Sequence, residues 1–101
     1  MLWGVSTRQL IATKDSDSTD LWKDTGTTYT VSVDCDGLCV IEAEVISDLS
    51  HTITVNGVSS PYVALSKSGS VNVTITGAHT GVVKDGTLNI YRIYGKCTAT
   101  I

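Results

Sequence analysis

The sequence predicts an all-β protein: a single antiparallel β-sandwich or jelly-roll-like domain of seven to eight short strands, with an N-terminal arm. Three observations predict it. From residue 27 to residue 101 the chain is a succession of short segments, such as 29–33 and 71–75, with apolar residues at every second place. That is the period of a strand with one buried and one wet face. Val, Ile and Thr account for 35 of the 101 residues, and β-branched side chains suit a pleated sheet better than a helix. Gly, Asn and Asp punctuate the segments so often that no helix of ordinary length fits between them.

Residues 1–24 differ from the rest and read as an arm or first strand, an acidic linker and an anchor, ahead of a sandwich domain at 25–101. Residues 3–13 suit one strand, with Trp3, Val5 and Thr7 on one side, until the alternation fails at Leu10 and Ile11. Residues 14–20 (KDSDSTD) are polar and acidic, of linker character. Leu21 and Trp22 then return as an isolated apolar pair.

A first hairpin is expected around Asp36-Gly37-Leu38. A two-residue Asp-Gly loop would set Val31 opposite Glu42 and Tyr29 opposite Glu44, mixing apolar and charged residues on one face. A three-residue loop pairs Cys35 with Cys39, Val33 with Ile41, Val31 with Ala43 and Tyr29 with Val45. The other face then carries Thr28, Thr30, Ser32, Asp34, Val40, Glu42 and Glu44. Because a one-residue slip inverts every side chain, the segregated register is preferred. A second hairpin turns at Asn56-Gly57, where both residues accept the positive φ of a type I′ turn. It would pair Ile53 with Ser60 and His51 with Tyr62. Pro61 cannot donate to a ladder and marks an edge or a break. Residues 67–70 turn into a strand over 71–76, a strand over 87–94 follows a Gly-punctuated loop, and 97–101 suits a terminal strand. In the 87–94 strand, strict alternation puts Tyr91 on one face with Ile93 and Tyr94 on the other with Leu88, Ile90 and Arg92.

Composition narrows the function. A chain of 101 residues makes one domain and buries roughly 60–65% of its unfolded surface. The net charge is −3 and the few Lys and Arg are scattered, which argues against a nucleic-acid partner, since such proteins present a basic face. The N-terminus lacks the basic and apolar regions of a secretory signal, and no apolar run approaches a membrane span. Three cysteines are an odd number for a disulfide framework. The expectation is a protein made and kept in cytosol with reduced thiols, or assembled there into something larger.

Chemistry is sparse. Cys35, Cys39 and Cys97 are candidate thiols and His51 and His79 candidate bases, but no nucleophile signature surrounds them. Cys35 and Cys39 fall on the apolar side of their strands, where a free Cys usually packs as a small hydrophobe. Their spacing with Cys97 does not reproduce a zinc knuckle. Asp15, Asp17 and Thr19 offer oxygen atoms at alternate places, yet the Gly and distal Glu of a calcium loop are missing, so a solvated linker is the stronger reading. Glu42 and Glu44 share one wet face as charged exterior, rather than converging on a cleft as an acid–base pair would. No phosphate loop or dinucleotide fingerprint occurs. The reading is therefore no catalytic residues, no metal and no cofactor. The aromatic residues are Trp3, Trp22, Tyr29, Tyr62, Tyr91 and Tyr94. Exposed rings serve sugar stacking or anchor a protein partner, and buried ones close the end of a core. Leu2, Trp3, Val5, Leu10, Ile11 and Trp22 are the candidate partner contacts, because an apolar arm left in water would form a patch that soluble monomers avoid.

The start Met1-Leu-Trp-Gly-Val-Ser, the Thr/Ser/Val-rich body and the strands running flush to Ile101 resemble small β-sandwich accessory proteins of tailed-phage virions, such as capsid decoration or cement proteins and fibre modules. The resemblance implies a structural role: clamping major capsid subunits, often as a symmetric oligomer (a trimer among the possibilities), with an extended terminus reaching the neighbour. It implies synthesis in the host cytoplasm and supplies no catalytic residues. The alternative is a carbohydrate-binding or adhesin-type sandwich, with Trp or Tyr rings on an open sheet face or loop tip.

Overall fold

The computed structural model describes residues 8–15, 26–47, 50–77 and 86–101. Within them eight strands form: β1 (Gln9–Asp15), β2 (Thr27–Cys35), β3 (Cys39–Ser47), β4 (Thr52–Val55), β5 (Tyr62–Leu65), β6 (Gly69–Thr76), β7 (Gly86–Tyr94) and β8 (Cys97–Thr100). They build two four-stranded sheets, a first with the order β1-β7-β3-β5 and a second with the order β4-β6-β2-β8. Every ladder is antiparallel. The described residues form an eight-stranded β-sandwich, the fold class the alternation predicts.

Alternation places the core. Val31 and Val33 of β2, Ile41, Ala43 and Val45 of β3, Val71, Val73 and Ile75 of β6, and Leu88 and Ile90 of β7 are buried between the sheets. Each full burial of a Val, Leu or Ile side chain contributes about 1.5–3 kcal/mol by transfer, so these rows dominate the favourable side of folding. The intervening residues of β2 and β6 (Thr28, Thr30, Ser32, Ser70 and Asn72) stay exposed.

Odd-numbered strands make the first sheet and even-numbered strands the second, so consecutive strands among those described lie in opposite sheets. This corrects the first expected hairpin. β2 pairs with β6 and β8, and β3 pairs with β5 and β7. The inward residues were chosen correctly, but Val33 and Ile41 are buried in opposite sheets rather than paired along a ladder. Cys35 takes Cys97, not Cys39, as its ladder partner. The physical reason is spacing: three extended residues reach about 10 Å, which equals the separation of two packed sheets. The same alternation therefore serves a sheet-to-sheet crossing as well as a hairpin.

The second turn forms, and its hairpin does not. Asn56 has φ 51° and Gly57 φ 78°. Val55 and Val58 exchange hydrogen bonds of 2.9 and 3.0 Å across them. Pairing stops after that bridge, because β4 joins β6 and β5 joins β3. Ile53 lies opposite Ile75 and Tyr62 opposite Glu42, in place of Ser60 and His51. Pro61 stands at this break, and its carbonyl accepts a 2.8 Å bond from the Ala43 amide, a role that needs no N–H.

Of the two readings of the N-terminal segment, arm or first strand, residues 9–15 are a strand at the edge of the first sheet, paired to β7. Its register shifts between Leu10 and Ala12, the point where the sequence alternation fails. Ile11 is the extra residue of that bulge, and it packs against the core. Among the described residues no helix is long and apolar enough to cross a membrane.

Candidate binding face

The outer face of the first sheet carries a network of charged and polar side chains. Register sets the rows: Leu10, Tyr91, Glu42 and Tyr62 lie side by side, as do Thr13, Asn89 and Glu44, and Tyr94, Val40 and Ala64. Directly opposite residues of antiparallel strands share a face and touch. Arg8, just ahead of β1, reaches across these rows. Its Nη1 lies 3.0 Å from Glu42 Oε1 and its Nη2 3.3 Å from Glu44 Oε2. Its guanidinium carbon stacks 3.9 Å above the Tyr91 ring, a cation–π contact.

The row behind is closed by hydrogen bonds. Tyr91 donates its hydroxyl to Glu44 Oε1 at 2.9 Å. Asn89 is 7% exposed although it faces outward. Its side-chain oxygen accepts from Thr13 Oγ1 at 2.7 Å, and its amide donates to the Tyr91 oxygen at 3.4 Å. Burial pushes the Glu44 carboxyl up, but the Tyr91 hydroxyl and Arg8 outweigh it and hold it below the ordinary carboxylate value. The Tyr91 phenol is held high by its bond to Glu44. Arg8 pairs with both carboxylates and the Tyr91 hydroxyl holds Glu44 as well, an arrangement that fixes these side chains across the face.

Around this network the face is apolar. Leu10 is 51% exposed, Ile46 56%, Tyr62 52% and Tyr94 59%. Ile46 belongs to the same face, since it lies opposite Thr87 and next to the inward Val45. Among the described residues, these four are the exposed large apolar side chains that sit on strands. The outer face of the second sheet is different. It is a lattice of hydroxyls that satisfy one another, with Thr28 bonded to Thr74 at 2.9 Å, Thr52 to Thr76 at 2.8 Å, and Thr30 to Asn72 at 3.2 Å. One face of the sandwich is self-satisfied and the other presents rings.

The chain has no significant match among protein-family models, curated proteins or solved structures. The site is therefore read from its own geometry.

Of the residues expected to meet a partner, Leu10 is exposed on this face and Ile11 is half-buried against the core. Leu2, Trp3, Val5 and Trp22 lie outside the described residues, as do His79 and the acidic residues 16–20. Asp15 ends β1, where it accepts a 3.1 Å bond from Thr87. Among the described residues no cluster of His, Cys, Asp and Glu is arranged to hold a metal ion.

Sequence reasoning missed the tyrosine pair. Strict alternation separates Tyr91 from Tyr94, but the β3–β7 register shifts between Val40 and Ile41, so that Val40 faces Tyr94 while Ile41 faces Arg92. Ile93 is the extra residue of this bulge, and Tyr94 rejoins the outer face with Tyr91. A bulge depends on the partner strand, so β7 alone carried no signal for it. Arg8 was also missed, because its partners are distant in sequence.

Proposed function

We propose that this protein is a non-catalytic structural and binding protein that joins an assembly, and its own further copies, through the outer face of the first sheet. The observation that carries the reading is the confinement of Leu10, Ile46, Tyr62 and Tyr94 to one face around a preordered Arg8–Glu42–Glu44–Tyr91 network. Exposed rings and aliphatics set around an arginine match the make-up of protein–protein contact centres, which favour Tyr and Arg. Glu42 and Glu44 are both paired with Arg8.

Area argues for a contribution from the arm. Four strands about 4.8 Å apart and up to about 30 Å long give roughly 500 Å². One partner's share of a standard interface is about 800 Å². Residues 1–7 lead directly into Arg8, which lies over this face, and Leu2, Trp3 and Val5 supply the apolar surface that would make up the difference. A capsid decoration or cement protein, the role implied by the resemblance to phage accessory proteins, is the assembly type we favour.

A glycan-binding role is the second reading, favoured by one observation: Tyr62, Tyr91 and Tyr94 share an open sheet face. Replacing Tyr62 and Tyr94 by Ser tests both. The protein reading expects loss of self-association and of attachment to the assembly, with no glycan retained by the wild type on an array. Glycan capture by the wild type that the double variant loses would replace it with the second reading. Unchanged association in the double variant would contradict the proposed face.

A further inference from the structure

The three cysteines meet at one end of the sandwich, away from the binding face. Two sheet-to-sheet crossings run side by side there, residues 36–38 between β2 and β3 and residues 95–96 between β7 and β8, joined by a 3.0 Å bond from the Asp36 amide to the Lys96 carbonyl. Cys35 and Cys97 are ladder partners. The Cys35 and Cys39 sulfurs are 2.8 Å apart, although they belong to different sheets. No disulfide joins the three cysteines. Cys39 is fully buried and Cys97 nearly so, whereas Cys35 is half-buried at the edge of the core. Cys35 lies on the wall of an open cavity of about 430 Å³, with Asp34, Asp36, Arg92 and Lys96 around it.

We propose that Cys35 and Cys39 are an exchange-competent dithiol, entered from the cavity through Cys35, that closes to a disulfide joining the two sheets on reaction with a small disulfide. The cavity's paired cations and anions suit a zwitterionic reagent such as oxidised glutathione. The Cys35 thiolate attacks one sulfur of the reagent, forming a mixed disulfide and releasing one glutathione thiolate, which takes up a proton. The Cys39 sulfur, once deprotonated, attacks Cys35 Sγ and expels the second glutathione. Two protein thiols are oxidised and one glutathione disulfide is reduced to two thiols. An S–S bond is about 2.0 Å long, so closure needs roughly an ångström of movement from the observed contact. Cys97 also lines the cavity and is in side-chain contact with Cys39. The sulfurs of Cys35 and Cys39, however, stand 2.8 Å apart, which makes Cys39 the resolving thiol, and burial pushes the Cys97 thiol up.

The reaction is slow at neutral pH and accelerates with base. Burial, aided by the neighbouring Cys39, pushes the Cys35 thiol up to about 11, and the thiolate is the nucleophile. The rate should rise about tenfold per pH unit between pH 7 and 10, without a plateau. This inference stands apart from the proposed function, since none of its groups lies on the outer face of the first sheet.

Peptide mapping tests it in the native full chain. After incubation with oxidised glutathione at pH 9 and acid quench, free thiols are alkylated and the protein is cut with trypsin. Cys35 and Cys39 fall in the fragment 24–67, and Cys97 in 97–101. The proposal expects fragment 24–67 to lose the mass of two hydrogens and 97–101 to carry the alkyl label. Cys39→Ser should stop at the Cys35–glutathione adduct. A cross-link between the two fragments, three alkylated cysteines, or a stable adduct in the wild type would each overturn it. The wild-type map is decisive even if the variant fails to fold.

Discussion

At the scale of residues, two glycines with similar backbone angles should respond very differently to a methyl group. Gly57 has φ +78° and open space where a Cβ would stand. Gly57→Ala therefore adds only left-handed strain, about 1–2 kcal/mol. Gly95 has φ +83°, and its Cβ would stand 2.2 Å from the Leu38 carbonyl oxygen and 2.9 Å from Cys39 Cα. Those are backbone atoms of the neighbouring crossing and cannot swing aside. Gly95→Ala should lose roughly 3 kcal/mol or more, a large share of a small domain's 5–15 kcal/mol. Urea titration of both variants measures this, and equal losses would mean that the two crossings are not packed as described.

Glu44 sets a pH dependence at the same scale. Its carboxyl titrates lower in the folded chain than its ordinary value, because Tyr91 and Arg8 outweigh its desolvation. A depressed carboxylate contributes stability that is complete above its unfolded pKa and lost as pH falls through the folded one. Stability should therefore decline below about pH 4, and Glu44→Gln should flatten that decline. An acid limb as steep in the variant as in the wild type would remove Glu44 from the account.

At the scale of elements, the strands were legible and their partners were not. Alternation in residues 29–33 and 71–75 identified the inward Val31, Val33, Val71, Val73 and Ile75, since burial acts on each strand separately. Asn56-Gly57 declared its turn because positive φ at both residues is a local requirement, met here at 51° and 78°. Pairing is a property of two strands, and residues 35–39 satisfy either a hairpin or a crossing. The same holds for the binding face. Glu42 and Glu44 were placed outward from β3 alone, while Arg8 above them and Tyr94 beside Tyr91 depend on contacts and bulges made with other strands. Leu10 was singled out for its apolar character and does remain exposed on β1, whereas Ile11 turns toward the core at the bulge.

At the scale of the whole molecule, the absence of paired consecutive strands among those described makes folding non-local. β1 joins β7 with Gln9 opposite Arg92, and even the most local ladder sets Val55 against Val73. Loop-closure entropy is lost before such contacts form, so folding should take milliseconds to seconds, as in other sandwiches of high contact order. Stopped-flow refolding from urea reads this directly. A relaxation faster than a millisecond would imply early local hairpins that the topology lacks.

The two outer faces divide the labour: hydroxyls bonded to one another on the second sheet, rings and aliphatics around an arginine on the first. Function, in this account, belongs to the first. Sedimentation velocity on the wild type, Leu10→Asp and Thr30→Asp over a range of concentrations tests that division most directly. Both substitutions place a charge on an exposed strand position, so the two variants differ in the face they alter. The account predicts a self-associating wild type, an unaffected Thr30→Asp, and a Leu10→Asp that sediments as a folded monomer. A wild type that is monomeric at every concentration, or a Thr30→Asp that dissociates while Leu10→Asp does not, would contradict it.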